Sequence, residues 1–150
     1  MSLSARVRLG CERLFDDDDI ALVRGRRVGL LTNHSGVDSH LRATADRLHE
    51  AEGVDLVLLF GPEHGIRGDA EDGVTVDTGV DARTGVPIIS LYGEHRQPAA
   101  ADLARLDVLL FDIQDVGVRF YTYLYTMSLS MAACAEAGLP FVVLDRPNPL

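Results

Sequence analysis

The sequence contains no lysine, no tryptophan and only two cysteines, and the lack of lysine and the scarcity of cysteine each exclude a class of protein. A P-loop that binds nucleotide phosphates requires a lysine, so none is present. Cys11 and Cys134 are too few for a disulfide framework. All 14 cationic side chains are arginine, against 23 acidic ones, which leaves a net charge of −9. A chain this acidic lacks the positive surplus that binds nucleic acid or anionic membranes, so we expect neither as a partner.

Several familiar sequence signatures are also missing. The segment Met1–Arg8 has no apolar core of a signal peptide, and no apolar run is long enough to cross a bilayer. We therefore expect a cytoplasmic chain. No Gly-x-Gly-x-x-Gly turn follows the first apolar run and no Gly-x-Ser-x-Gly occurs, so neither a dinucleotide site nor an α/β-hydrolase triad is expected. The histidines match no zinc signature, and we expect neither a metal nor another cofactor.

Five short runs of Val, Leu, Ile and Phe dominate the hydrophobic pattern. Continuous apolar runs of this length are typical of strands buried on both faces, as in a parallel sheet covered by helices. The segments between them indicate right-handed βαβ units. We therefore predict one α/β domain over 1–150, with a Rossmann-like, open, mostly parallel sheet and helices on both faces. The predicted strands are 28–31, 54–60, 87–91, 108–113 and 141–144.

Four segments outside the predicted strands favour helices. One or two short helices are predicted over 9–24, and a helix over 39–51 is predicted to begin at Ser39 as its N-cap. A short crossover helix is predicted over 99–106. A long helix over 121–137 is predicted to end at Gly138. The segment 65–87 has no sustained periodicity and is predicted to be a long loop.

Each predicted strand ends in a small group of polar side chains. The carboxyl ends of parallel strands meet at one edge of the sheet, where α/β folds bind their ligands, so these groups predict a functional site. Glu63 is the strongest single candidate, because it directly follows a buried strand and has turn residues on both sides. Partial desolvation raises a carboxyl pKa and suits a general acid. A turn-stabilising role for Glu63 is the alternative.

Other polar residues at this edge admit two interpretations each. His64 either orients Glu63 or bonds to the backbone. Asp112 and Asp115 supply either a second carboxylate facing Glu63 or an internal Asp–Arg pair that shapes the turn. Arg146, which follows the last strand, suits a bidentate bond to a substrate carboxylate. Two tyrosines either contact a sugar or belong to the core, namely Tyr92 and Tyr121.

Three long motifs occur in order along the chain: Gly61-Pro62-Glu63-His64-Gly65-Ile66-Arg67-Gly68, residues 112–123 (DIQDVGVRFYTY) and Asp145-Arg146-Pro147-Asn148-Pro149. Asn33-His34-Ser35-Gly36, which precedes these motifs, and Leu91-Tyr92-Gly93, which lies between the first and the second, fit the same pattern in order. Together these motifs resemble the NamZ-type exo-β-N-acetylmuramidases, a family formerly described as a domain of unknown function and called YbbC-like. The resemblance covers essentially the whole chain from Val7 onward.

The resemblance implies a glycoside hydrolase of peptidoglycan turnover, which removes terminal N-acetylmuramic acid from the non-reducing end of wall fragments. The expected partner is therefore a small saccharide. Glu63 falls on the family's catalytic glutamate, and one or more of three arginines would bind the lactyl carboxylate of muramic acid, namely Arg67, Arg119 and Arg146. The implied catalytic residues are Glu63, His64 and Asp112. The implied substrate-binding residues are Asn33, His34, Arg67, Tyr92, Gln114, Asp115, Arg119, Tyr121, Asp145, Arg146 and Asn148.

The resemblance also implies a second domain. Family members combine a Rossmann-like N-terminal domain with a smaller C-terminal domain, and their active site lies in the cleft between the two. This sequence stops at Leu150, so we expect an N-terminal catalytic domain whose cleft is completed by a C-terminal domain or a partner chain. Two alternatives are a non-catalytic module that binds muramic acid and one half of a split enzyme.

Overall fold

The computed structural model describes residues 7–16, 18–62, 65–68, 79–93 and 95–149. Its strands are β1 (Arg27–Thr32), β2 (Asp55–Gly61), β3 (Gly79–Val80), β4 (Pro87–Ser90), β5 (Val108–Asp112) and β6 (Phe141–Val143). Its helices are α1 (Gly10–Asp16), α2 (Thr44–Glu50), α3 (Ala100–Leu103) and α4 (Tyr123–Ala137), with a 3-10 helix over Asp18–Leu22. No helix in these ranges has the length and apolar content needed to cross a membrane.

The six strands form one open sheet in the order β3-β4-β2-β1-β5-β6. Every neighbouring pair is parallel except β3 with β4, which is antiparallel. This arrangement confirms the predicted α/β class and mostly parallel sheet. Along the chain, β2 and then β4 are added on one side of β1, and β5 is then added on the other side of β1. A reversal of this kind opens a crevice outside the carboxyl ends of β1 and β5, where α/β folds bind ligands.

Apolar side chains cover both faces of the sheet, because successive residues of a strand point to opposite sides. One face packs against α1 and α2, and its buried cluster includes Leu14, Val28, Leu30, Leu48, Val108 and Leu110. The opposite face packs against α3 and α4, and its buried cluster includes Leu31, Leu103, Leu109, Phe111 and Ala133. Helices therefore lie on both faces, as predicted.

The second helix starts later than predicted. It begins at Thr44, with Ala43 in the N-cap position, so Ser39 is not its cap. Asp38 is the reason, because its buried carboxylate accepts the backbone N–H groups of His40 and Arg42 at 2.8 and 3.0 Å and closes a turn there. A short polar side chain that bonds to nearby backbone in this way competes with helix formation.

Three other predicted elements differ in extent. The predicted loop over 65–87 contains the short strand β3, while residues 69–78 lie outside the described part of the chain. The crossover helix α3 is shorter than the predicted 99–106. The long helix α4 begins at Tyr123 and ends as predicted at Gly138, which adopts the left-handed conformation with φ of 65°. Glycine takes this conformation without steric cost.

Candidate functional site

The loops that follow β1 and β5 are joined directly at the carboxyl edge. The Ser35 hydroxyl donates to Asn33 Oδ1 at 2.6 Å and accepts the backbone N–H of Gln114 at 2.9 Å. Thr32 Oγ1 donates to the backbone carbonyl of Asp112 at 2.8 Å. Gly36 has no side chain at this junction, and a Cβ there would clash with Thr32 Oγ1. These contacts hold the loops after β1 and β5 in a fixed arrangement around the crevice between the two strands.

The loop that follows β6 closes the same crevice from the other side. Gln114 Nε2 donates to the backbone carbonyl of Pro147 at 3.0 Å and to that of Asp115 at 2.7 Å. Gly117 is in the left-handed conformation, and a Cβ at this position would clash with the Asn148 side-chain amide. Gln114 and Asn148, both predicted to bind substrate, therefore lie where these loops meet.

Glu63 and His64 lie outside the described residues, but the residues on either side of them are described. Pro62 and Gly65 are buried, and the Gly65 N–H donates to the Pro62 carbonyl at 3.1 Å. Further along the same loop, Gly68 has a φ of 77°, and a Cβ there would lie 3.1 Å from the Cβ of His34. Gly68, five positions after Glu63, therefore lies against His34, which is exposed at the edge.

Asp112 does not face a substrate. Its side chain is fully buried, and Oδ1 accepts Arg146 Nε at 2.6 Å while Oδ2 accepts Arg146 Nη2 at 3.0 Å. Thr44 Oγ1 donates to Oδ2 at 2.6 Å. Both carboxylate oxygens are therefore occupied by protein groups in the layer between the sheet and α2. This geometry favours the internal Asp–Arg pair, the alternative interpretation of Asp112.

Arg146 is correspondingly unavailable to a substrate carboxylate. Only 5% of its side chain is exposed, and Nη1 donates to the Val37 carbonyl at 2.9 Å. Its Nη2 also approaches Cys11 Sγ at 3.4 Å. Burial lowers the pKa of the Arg146 guanidinium, but the hydrogen bonds and charge of Asp112 outweigh this, so the pKa is raised. Arg146 therefore stays charged within this pair, and the arrangement does not support the prediction that it binds a substrate carboxylate.

Arg67 is also held by carboxylates of the protein. Nε and Nη2 bond to Asp81 at 2.9 and 2.8 Å, and Nη2 bonds to Asp46 at 2.7 Å. Asp81 additionally accepts the backbone N–H and the hydroxyl of Thr84. Arg67 therefore anchors the loop after β2 to α2 and to the β3–β4 turn. This arrangement does not support the prediction that Arg67 binds the lactyl carboxylate.

The Arg67–Asp81 pair predicts a loss of stability in acid. Burial raises the pKa of Asp81, but the bonds from Arg67 and Thr84 outweigh it and lower the pKa from 3.8 to about 2. The stabilisation is therefore complete above pH 4 and is lost as the pH falls through about 2. A difference of this size corresponds to about 2 kcal/mol at neutral pH. We expect urea unfolding at pH 7, 4 and 2.5 to show this loss.

Asp81→Asn is the matched comparison for that measurement. The variant should be less stable than the wild type at pH 7, and its stability should change less between pH 4 and pH 2.5. Equal pH dependence in the two proteins would show that Asp81 does not carry the effect. Asp102→Asn, on α3, is the control for replacing an acidic residue elsewhere.

Three predicted binding residues line one cavity at the site, which has a volume of about 300 Å³. Asp115 is one of them, and its Oδ1 is buried without a hydrogen-bond partner among the described residues. Arg119 is exposed and forms no ion pair in the described part of the chain. Unlike Arg67 and Arg146, it is therefore free to meet an anion. Tyr121 is the third predicted residue, and the remaining cavity walls are formed by Gly117, Val118, Leu124 and Tyr125.

A second cavity of about 430 Å³ lies next to the first and shares Tyr125 with it. Tyr92 lines this cavity, as expected for a residue that follows β4. Arg96 also lines it, and sequence reasoning missed this residue because it belongs to none of the recognised motifs. The available signal was the polar stretch His95-Arg96-Gln97 directly after the β4 loop.

The remaining predicted residues occupy the edge in different ways. Asn33 is buried, and its Oδ1 accepts both the backbone N–H and the hydroxyl of Ser35, so it shapes the turn. Asp145 is exposed, and its backbone carbonyl accepts the N–H of Gly10 at 2.8 Å. Within the described ranges, no group of His, Cys, Asp and Glu side chains is arranged to hold a metal ion.

An α/β domain that gathers carboxylate, arginine and tyrosine side chains outside the carboxyl ends of its strands has the layout of a ligand-binding or catalytic domain. Comparison with protein families then gives a specific assignment. Residues 28–150 match the family described as "Exo-beta-N-acetylmuramidase NamZ, N-terminal", and the chain belongs to this family. The resemblance seen in the sequence motifs is thereby confirmed.

Individual relatives support the same assignment. The chain is 50% identical over 144 residues to the peptidoglycan β-N-acetylmuramidase NamZ of Bacillus subtilis (strain 168), covering 96% of this chain and 34% of that protein. Crystal structures of two DUF1343 family proteins from Bacteroides fragilis NCTC 9343 are also similar. One has a TM-score of 0.86 at 48% identity and the other 0.77 at 37%, each covering at least 95% of this chain and about 35% of its own. The chain thus spans about a third of the length of these relatives.

Proposed function

We propose that this chain carries the catalytic acid of an exo-β-N-acetylmuramidase, which releases terminal N-acetylmuramic acid from the non-reducing end of peptidoglycan fragments. The observation that carries the proposal is 50% identity over 144 residues to a peptidoglycan β-N-acetylmuramidase. The family match over residues 28–150 includes every loop at the carboxyl edge. Cell-wall turnover is the corresponding biological role.

Glu63 is the general acid in this proposal. It protonates the glycosidic oxygen as the bond to the anomeric carbon breaks, so that the leaving sugar departs as a neutral alcohol. Pro62 and Gly65, which precede and follow this pair in the sequence, are buried and joined by a backbone hydrogen bond. His64 is the neighbour that orients the acid.

Asp115 is the second carboxylate. Glycosidases generally use two, and the burial of Asp112 in its ion pair leaves Asp115 as the candidate after β5. Asp115 Oδ1 is buried without a partner, which is costly unless a ligand group bonds to it. Its role is to accept a proton from the attacking water or from the 2-acetamido N–H of the substrate, whose carbonyl oxygen can attack the anomeric carbon in place of a protein nucleophile.

Replacing Asp115 should therefore lower turnover without lowering the stability of the fold. We expect Asp115→Asn to lower turnover by about 10²–10⁴-fold, the usual contribution of a general acid or base. The free energy of unfolding should not fall, because the replaced oxygen makes no bond in the described protein. Asp102→Asn on α3 is the control, and turnover by it should match the wild type. A drop in stability with unchanged turnover would assign Asp115 to the fold instead.

Arg119 is the ligand for the lactyl carboxylate. Of the three arginines that the family resemblance suggested for this role, it alone forms no ion pair in the described structure. Its cavity also contains Asp115 and the Tyr121 ring. A guanidinium can form two parallel bonds to a carboxylate, which gives both energy and orientation.

The direct experiment compares two chromogenic β-glycosides, one of N-acetylmuramic acid and one of N-acetylglucosamine. Each is offered to the 150-residue chain and to a chimera that joins it to the remaining part of the B. subtilis relative. We expect release from the muramic acid glycoside only. Release by the chimera alone would show that the cleft needs its second wall. Failure of both proteins to release the chromophore would contradict hydrolysis, and binding without release would support the muramic acid-binding module.

A further inference from the structure

We infer that Arg96, with Tyr92 and Tyr125, forms a separate subsite for a carboxylate carried by the saccharide ligand. The inference rests on the proposed function for the identity of that ligand. The subsite is the cavity of about 430 Å³ between the loop after β4 and the first turns of α4. Its volume lies within the range of pockets that hold small ligands.

The lining of this cavity suits a sugar with an anionic substituent. Leu91 and Leu129 supply apolar surface, two tyrosine rings supply faces on which a pyranose can pack, and Thr122 and Thr126 supply hydroxyl groups. Among the described residues that line the cavity, Arg96 is the only one with a charged side chain. A mostly apolar wall with one cation selects for a ligand of mixed apolar and anionic character.

The charge of Arg96 is available to a ligand. Its side chain is exposed and forms no ion pair or hydrogen bond within the described residues. Glu136 and His95 line an adjoining cavity together with Arg96, yet neither is within ion-pairing or hydrogen-bonding distance of it. Arg67 and Arg146, in contrast, have their donors occupied by carboxylates of the protein.

The position of the cavity makes it an extension of the proposed active site. Tyr125 lines both this cavity and the one that contains Asp115 and Arg119. A ligand whose terminal sugar meets Arg119 therefore reaches Arg96 through an adjoining part of the same molecule. The carboxylate at Arg96 is either that of an acidic peptide attached to the sugar or the lactyl carboxylate itself, in which case Arg96 replaces Arg119 as its ligand. In both cases the recognising chemistry is a guanidinium–carboxylate bond.

The test measures the affinity of the 150-residue chain for three ligands by calorimetric titration. N-acetylmuramic acid has a lactyl carboxylate, N-acetylmuramoyl-L-alanyl-D-isoglutamine has its carboxylate on the peptide, and N-acetylglucosamine has none. Arg96→Gln should weaken binding of at least one carboxylate ligand by about tenfold or more, the usual effect of removing a bond to a charged group. The ligand that loses affinity identifies the source of the carboxylate. Binding of N-acetylglucosamine should not change.

Two further variants sharpen the result. Arg105→Gln, an exposed arginine after α3, should bind all three ligands like the wild type. Arg96→Lys should recover only part of the affinity, since an ammonium keeps the charge but loses the bidentate geometry. Three results would contradict the subsite. The wild type and Arg96→Gln could bind both carboxylate ligands with equal affinity, or Arg96→Gln could lose as much affinity for N-acetylglucosamine as for the carboxylate ligands. The third contradicting result is a wild type that binds none of the ligands.

The outcome is distinguishable from that of the proposed function. If the muramic acid glycoside is hydrolysed and the Arg96→Gln variant binds like the wild type, the proposed subsite is contradicted and the proposed enzymatic function is supported. Arg96-dependent binding without hydrolysis by chain or chimera would leave the subsite and remove the catalytic assignment.

Discussion

Replacing Asp112 by alanine should lower the free energy of unfolding by about 3–5 kcal/mol, the usual cost of leaving one partner of a buried ion pair uncompensated. The variant strands the Arg146 guanidinium, whose side chain is only 5% exposed, without its two carboxylate bonds. Thr44 also loses its acceptor. Small domains are stable by about 5–15 kcal/mol, so this change removes a large part of the total. Equilibrium urea unfolding measures it directly.

Asp107→Ala provides the matched control. Asp107 and Arg27 also form a bidentate pair, with bonds of 3.1 and 2.7 Å, but both side chains are more than 40% exposed. The control should change stability far less, because water replaces the lost bonds. A double variant, Asp112→Ala with Arg146→Met, should recover part of the stability by removing the stranded charge. An Asp112→Ala protein as stable as the wild type but defective in turnover would restore Asp112 to the catalytic residues.

Replacing Glu63 by glutamine should lower turnover by about 10²–10⁴-fold, because the amide cannot donate a proton to the leaving oxygen. The loss should depend on the leaving group. A nitrophenolate departs without much protonation, whereas a sugar hydroxyl must be protonated as it leaves. We therefore expect a larger loss with a disaccharide than with a nitrophenyl glycoside of N-acetylmuramic acid, assayed in whichever of the chain and chimera is active.

Glu50→Gln, at the exposed end of α2, is the control for the chemical change from carboxyl to amide. It should be as active as the wild type with both substrates. An equal loss with both leaving groups in Glu63→Gln would show that Glu63 does not act as the acid, and unchanged turnover would remove it from catalysis altogether.

The strands and their edge could be predicted because the signal is local. Each buried strand is a continuous apolar run, and a polar group follows it immediately in the sequence. The short strand β3 (Gly79–Val80) has no such run, and it forms because β4 offers an edge with which it can pair. Ser39 looked like a helix cap, but Asp38 closes a turn first. That competition depends on which local hydrogen bonds form, and the periodicity does not report it.

The separate roles of the polar residues, in the fold or at the proposed site, could not be predicted in the same way. Asp112 and Asp115 are three positions apart and chemically identical in the sequence. Asp112 ends β5 with its side chain toward α2, where Arg146 arrives from a loop 34 positions later, whereas Asp115 lies beyond the sheet beside the cavity with Arg119. Which arginine meets which carboxylate is decided by tertiary packing. Motif resemblance alone treats all of them as site residues.

The most direct test of the central claim uses two isomeric β-linked disaccharides. One carries N-acetylmuramic acid at its non-reducing end, and the other carries N-acetylglucosamine there. Each is incubated with the 150-residue chain and with the chimera, and the products are identified by mass spectrometry. The account predicts free N-acetylmuramic acid from the first disaccharide and no cleavage of the second. Cleavage of the second disaccharide, or of neither by either protein, would contradict it.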